Sequence, residues 1–464
     1  MNACDRLLKH YYQNRAHLPG HLLPWLTALR ERAAESFAAQ GFPAPRDEEW
    51  KYTSLKELQK TEYYLAQALP TAEINTLPQG VKQCATGEHL LVFINGVYNS
   101  GLSSIAALPK GFILSSFAQA LQDHPQLLAA ALGKVSSDKA PVFSALNTAL
   151  MSDGVFLWAP ENAHIASPIH CLFISSTTAQ AVVSNSRLLL VLNNNSNLTL
   201  LEHHIDLAAP DAQITTDGTG RKQNLCNVVT EISLSPQAHL DHYKLQHPSL
   251  NSSLITAMYV QQQRQSVFTS HSYSLGATLA RHDIQIQLSG PQAECCLNGV
   301  YLVDGRQHVD YHTQIEHLEA HCRSQQIYKG VIQDSARAVF NGKVIIHPVA
   351  QHSTARQINK NLLLGEQGEV DSKPELQIYA DDVVCSHGAT VGQLDQQSLF
   401  YLQSRGLSEK DAQAWLVYGF ISEVLERIDA PSLREFIQLP VIAKLNQLVA
   451  NDVRNLLSME RGDS

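Results

Sequence analysis

Apolar and polar positions follow two different periods along this chain, and the changes of period mark out its parts. Leu26, Leu29, Ala33 and Phe37 fall at i, i+3, i+7 and i+11, one face of a helix that starts near Pro24 and stops at Gly41. Residues 1–75 therefore read as an N-terminal helical domain. From about Leu90 to Val384 the pattern becomes one of short strands, 4–7 residues long, with no sustained 3.6-residue period. Leu90–Ile94 runs into Asn95-Gly96, a tight-turn dipeptide. Arg187–Leu192 ends at an Asn-rich turn, after which Leu198, Leu200 and Glu202 alternate, and Val228, Thr230, Ile232 and Leu234 alternate further on. After Gly392 the helical period returns. Asp395 is a candidate N-cap, Gly406 a C-terminal stop, and Ser408 to Asp411 a capping-box variant. On the helix that follows, Leu416, Phe420, Val424 and Ile428 recur every four residues beside Ala412 and Trp415. Pro431 is expected to end it, and a last helix to cover roughly 441–456. The expected boundaries are a strand-rich core over 76–390 and a C-terminal helical domain over 391–464.

A repeat runs through the strand-rich part. Leu297-Asn298-Gly299 matches Phe340-Asn341-Gly342 at an offset of 43, and Gln307-His308 matches Gln351-His352 at 44. Such an offset predicts stacked coils of about 21–22 residues, a β-solenoid, with Asn and Gly turning the corners. The fold class expected is thus mainly β, a solenoid flanked by helices at both ends.

Composition narrows the function. Charged residues make up 17% of the 464 and apolar ones 44%, which suits a chain that covers much of its surface with partners or with itself. A net charge of −9 argues against general nucleic-acid binding, and no basic run suggests a membrane surface. Apolar runs such as Leu188–Leu192 are far short of a membrane span. The N-terminus carries no apolar signal-peptide core, and the cysteines at 4, 84, 171, 226, 295, 296, 322 and 385 follow no disulfide spacing. A reducing, cytoplasmic setting is expected.

The densest chemistry lies at Cys385-Ser386-His387. Two residues apart on an extended chain, thiol and imidazole leave the same face about 6–7 Å apart. Both are common ligands of iron, zinc and iron–sulfur clusters, but two ligands do not close a four-coordinate site. A metal here needs ligands from elsewhere, for which a partner chain is one source. The alternating His308, Asp310 and His312 are read as a polar ladder along stacked coils, and His317 and His321 lack the glutamate of a zinc motif. Cys295 and Cys296 point to opposite faces of a strand and, like Cys322, are read as core thiols. No phosphate-binding GxxxxGK[ST], no complete GxGxxG and no GxSxG elbow occurs.

The run Asp381-Asp382-Val383-Val384-Cys385-Ser386-His387-Gly388-Ala389-Thr390-Val391-Gly392, continuing to Gly406, closely resembles the C-terminal signature of the SufD family. That family supplies a subunit of the SUF iron–sulfur cluster assembly scaffold. Pro45-Arg46-Asp47-Glu48-Glu49-Trp50-Lys51-Tyr52-Thr53 looks like the family's N-terminal motif, in which Trp50 and Tyr52 read physically as packing anchors. Phe340-Asn341-Gly342-Lys343-Val344, Asn361-Leu362-Leu363-Leu364 and Lys373-Pro374-Glu375-Leu376 supply a third match.

The resemblance implies a right-handed parallel β-helix and a non-enzymatic role. It also implies a heterodimer with a SufB-type paralogue through the β-helix, and a SufC-type ABC ATPase held by the C-terminal helices. The chain alone would hold no tightly bound cofactor; iron or a nascent cluster would pass transiently by His387 and Cys385 in the complex, and a homodimer is possible in isolation. Two departures separate it from SufB: Gly388 stands where SufB has a Glu, and Gln357–Leu364 lacks the cysteine SufB carries on the preceding coil. The other reading weighed is a β-helix enzyme acting on polysaccharide. It needs two converging carboxylates, whereas Asp381 and Asp382 are adjacent and face opposite ways if extended.

Overall fold

The computed structural model describes residues 3–66, 86–135, 141–176, 180–207, 223–247 and 252–449. From Asp153 onward, successive strands alternate between two long sheets. One sheet runs 369–378, 337–346, 308–317, 279–288, 252–262, 224–234, 182–192 and 153–159. The other runs 384–392, 354–363, 323–332, 294–303, 267–274, 239–246, 197–207, 169–176 and 89–94. All these neighbours pair in parallel, so each turn of chain adds one strand to each sheet, giving a parallel β-solenoid of about seven turns. The hairpin expected at Asn95-Gly96 is present, with Ile94 opposite Val97 and both turn residues left-handed.

The coil length differs from the expected 21–22 residues. Glu294 pairs with Arg323 and His308 with Arg337, an advance of 29 residues per coil. Asn298 and Asn341 lie in different sheets, so the offset of 43 spans one and a half coils rather than one whole period. The Asn-Gly pairs do not turn corners either. They sit mid-strand, where the glycines make room inside the stack: a Cβ on Gly299 would overlap the Tyr328 ring, and one on Gly342 the side chain of Gln357. One corner is turned by a column of left-handed residues, Asn162, Asn195, Gln237, Gln265, Gln292, His321 and His352, so that Asn does turn it in the first coils. Each is held by a backbone hydrogen bond from its N–H to the coil above it, as from Gln265 to Pro291 and from His321 to Gln351.

Strands of 8–11 residues dominate the solenoid, longer than the alternation suggests. They are covered on both faces, so polar positions do not mark their outer side. The interior face stacks Leu297, Tyr301, Val309, Tyr311, Ile315, Tyr328 and Phe340. Outside one sheet pack the N-terminal helices Ala3–Asn14 and Pro24–Gln40, burying Leu7, Tyr11 and Phe37 against Val183, Leu225, Ile255 and Leu279. On Pro24–Gln40 the fully covered positions are Leu26, Arg30, Ala34 and Phe37; Leu29 and Ala33 lie at the margin of the expected stripe.

Three helices also fall where only strands were expected: Phe117–Asp123, Pro125–Ala131 and Val142–Leu150. The last has every residue buried, so it has no polar face to generate a period. Its Asn147 donates to the carbonyls of Ser186 (2.9 Å) and Asn227 (3.0 Å) and accepts from Arg187 (3.1 Å).

At the C-terminal end the caps are as expected. Asp395 caps the helix Gln396–Ser404, Gly406 follows with φ 95°, and Ser408 Oγ accepts from the Asp411 N–H at 3.2 Å. The helix Glu409–Leu425 buries Ala412, Val417, Ile421 and Val424; Ala412 and Val424 belong to the expected face, whereas Leu416 and Phe420 are only partly covered. Pro431 does not end this helix; it opens the next, Pro431–Val449, where its missing N–H costs nothing. Residues 450–456 of the expected last helix lie outside the described residues. Both helices share one core with the outer face of the second sheet, through Tyr243, Tyr273, Val300, Leu302, Ile327 and Val331.

Candidate functional site

Among the described residues, the last strand, Val384–Gly392, pairs on one side only, with Thr354–Leu363. Glu369–Ile378 is likewise the last strand of the other sheet. Among the described residues the solenoid thus ends in two free edges, and no coil lies above its final interior layer. Val384, Ile378, Tyr379 and Val391 are exposed there. Free β edges are the part of a sheet most prone to recruit another chain.

Cys385 and His387 lie on this end strand and, as expected, on one face of it. Cys385 is the register partner of Ala355, and His387 of Gln357, both on the inward side of the stack. Cys385 is half-buried against Val344, Ile346, Ala350 and Ala380, and burial pushes its thiol up, opposed by a backbone hydrogen bond at Ala355. His387 is exposed, and a side chain added at Gly388 or Gly392 would meet nothing within 4 Å.

His308, Asp310 and His312 point the other way, out of the solenoid, and Asp310 meets its register partner Arg281 on the adjacent coil, a rung of the expected polar ladder. They grip the N-terminal segment. Thr53 Oγ1 donates to Asp310 Oδ2 at 2.5 Å; that leaves its oxygen to accept from His308 Nε2 at 2.8 Å. Arg281, 2% exposed, donates to Asp310 Oδ2 (2.8 Å), to the Glu49 carbonyl (2.7 Å) and to both oxygens of Asp283. Its guanidinium lies 3.7 Å from the centre of the Trp50 ring. His312 bridges two carboxylates, with Nε2 3.0 Å from Asp310 and Nδ1 3.0 Å from Glu49.

Burial alone would disfavour charge on both Asp310 and His312, but each sits among opposite charges. Arg281 and His312 hold the Asp310 carboxyl well below the usual range. Asp310 and Glu49 push His312 up to about 9. Trp50 is an anchor, as expected, while its neighbours Glu48 and Glu49 are paired with Lys373 and His312 rather than simply solvated.

The remaining candidates fall apart in space. His317 is inside the stack, 2.8 Å from Ser324 Oγ, whereas His321 is at a corner with its ring stacked on His352. Cys295 is in the core and Cys296 on the opposite face; Cys322 is buried, its thiol donating to the Gly290 carbonyl. Cys84 lies outside the described residues. Asp382 pairs with His352 at 2.8 Å. One polar cluster was not recognised from sequence: Glu202 inside the solenoid, with Lys244 (2.9 Å), His204 (2.6 Å) and His242 (3.3 Å). Its signal was present, since Glu202 continues the apolar alternation of Leu198 and Leu200. Among the described residues, no group of three or more His, Cys, Asp or Glu is arranged to hold a metal ion, and no helix is long and apolar enough to cross a membrane.

The fold and this end define a parallel β-solenoid scaffold whose ligand-type side chains stand at an uncovered edge. Comparison with known proteins is in keeping with that class. The family model described as the SufBD protein N-terminal region matches residues 1–171, and that of the SUF system FeS cluster assembly, SufBD core domain matches 173–420. The chain belongs to the SufBD family of iron–sulfur cluster assembly proteins. An iron–sulfur cluster assembly SufBD family protein of Synechocystis sp. is 35% identical over 416 residues, 88% of this chain and 89% of that protein. The iron–sulfur cluster assembly protein SufD of Escherichia coli is 30% identical over 422 residues, covering 89% and 91%. SufD of Bacillus subtilis is 24% identical over 89% of this chain and 92% of its own length. The resemblance to SufD read from the three motifs is borne out.

Proposed function

We propose that this chain is a non-enzymatic subunit of a cytoplasmic SUF scaffold. It pairs with a SufB-type paralogue through the free end of its solenoid, and His387, with Cys385 beside it, helps receive iron or a nascent cluster at that junction. The observation that carries this reading is the end strand itself: unpaired along one edge, exposed, and bearing an imidazole and a thiol on its inward face. Because these two residues do not close a site, the other ligands come from the partner, and the ion is cargo rather than a resident cofactor. In isolation the same edges favour a homodimer. The C-terminal helices hold a SufC-type ATPase, a role supported by the exposed Phe400 and Tyr401 on Gln396–Ser404.

The test is anaerobic reconstitution of the assembled complex with iron and sulfide. His387→Ala should lower cluster absorbance per mole of intact complex without dissociating it. Cys385→Ala should have the weaker effect, its thiol being half-buried against apolar side chains. Full yield from His387→Ala would place the site elsewhere. For the ATPase, Phe400→Asp is a cleaner probe than truncation after Gly406, which would strip cover from Tyr243, Val300 and Val331.

A further inference from the structure

We propose that Gln357 is a positioning residue for His387: its buried amide hydrogen-bonds the imidazole when the open end is covered, and so fixes which ring nitrogen faces the ion. This rests on the reading of His387 given above and extends it to a residue with no exposure of its own.

Gln357 and His387 are register partners in the last strand pair. Parallel neighbours stand about 4.8 Å apart with side chains on the same face, so the imidazole is the next position above the amide in one inward column. Gln357 is 0% exposed, yet neither its Oε1 nor its Nε2 has a hydrogen-bond partner among the described residues. A buried amide with both ends unpaired is rare and costly, and calls for an explanation.

Among the described residues, no side chain hydrogen-bonds this amide. One coil below, Gln326 Oε1 accepts from Thr313, while Gln326 Nε2 is itself buried and unpaired. Asn359 and Asn361 pair with each other, with Tyr301 and with Ser372. Across the stack is Gly342, where any Cβ would overlap Gln357 Nε2, so the amide faces bare backbone on that side. Above it stands His387. An amide can give a hydrogen bond to an imidazole nitrogen or take one from it, and a ring held at one nitrogen presents the other to a metal. Such supporting bonds commonly set ligand orientation and basicity, and losing one costs ~10–100-fold in metal affinity.

The experiment measures Fe²⁺ affinity anaerobically in the complex assembled from full-length subunits, for wild type, Gln357→Met, His387→Ala and the double variant. Methionine keeps the volume and removes the amide, so folding of the isolated chain should be preserved or improved. The expected result is ~10–100-fold weaker binding in Gln357→Met, with no further loss when it is added to His387→Ala. Unchanged affinity in Gln357→Met alongside a loss in His387→Ala overturns the inference and leaves the site standing. An equal loss in both backgrounds shows that the amide acts on the fold and not through His387, which also overturns it. No loss in His387→Ala removes the site, and the inference with it.

Discussion

Two short stretches of the solenoid, His308 to His312 and Cys385 to His387, look alike as sequence: ligand-type side chains at alternate positions of a strand. Their surroundings make them opposites. At the first, the segment Glu49–Thr53 lies across the outer face, and Glu49, Arg281, Asp310 and His312 each have a counter-charge within about 3 Å. At the second, the strand is the end of the stack; the imidazole is exposed and the thiol half-covered. What covers a face therefore decides whether a histidine serves the fold or is free for chemistry. A fully paired cluster is locked in place, whereas a free edge can still be completed by another chain.

That contrast can be broken most severely at Asp310. Asp310→Ala would leave Arg281 and His312 buried beside an apolar methyl, and removing one partner of a buried ionic cluster costs about 3–5 kcal/mol. Urea unfolding should show that loss, together with a change in Trp50 fluorescence as the N-terminal segment loosens. A loss below about 1 kcal/mol would mean that the segment is held by other contacts.

The next effect is one of pH. The folded His312 is raised to about 9, above its ordinary 6.5. Its contribution is fully present below pH 6.5 and fades as pH rises through 9, up to about 3 kcal/mol in total. Asp310 has the opposite sign, being held below its usual value, so its share is present at neutral pH and lost only in acid. Unfolding free energies at pH 6 and pH 9.5 should therefore differ in wild type, and the difference should shrink in His312→Gln. A flat profile in the wild type would contradict the bridge between Asp310 and Glu49.

A smaller loss is expected from Thr53→Val, which keeps the shape and removes the hydroxyl held by Asp310 and His308. The expected cost is about 1–2 kcal/mol, and thermal melts would detect it. Smallest of all is His387→Ala, which should change the stability of the isolated chain by no more than about 0.5 kcal/mol. If it instead destabilised the chain as much as Thr53→Val does, His387 would serve the fold as the Asp310 cluster does.

Much was legible in the chain alone. The Asn95-Gly96 hairpin, the caps at Asp395 and Ser408 and the stop at Gly406 are local features, set by the conformations and hydrogen bonds of neighbouring residues. The strand alternation placed Cys385 and His387 on one face, and the repeat indicated stacked coils. The coil length was misread because Asn298-Gly299 and Asn341-Gly342 look like turn residues. Gly299 and Gly342 answer instead to the Tyr328 ring and the Gln357 side chain, contributed by the facing or neighbouring strand. The helix Val142–Leu150 escaped notice because burial on all sides erases the period that reveals a helix. Only the tertiary structure decided that His312 is bound to Glu49, 263 residues away, and that His387 is left uncovered. Sequence patterning records which way a side chain faces relative to its own strand; what lies over that face is set by contacts between distant segments, and no local spacing encodes them.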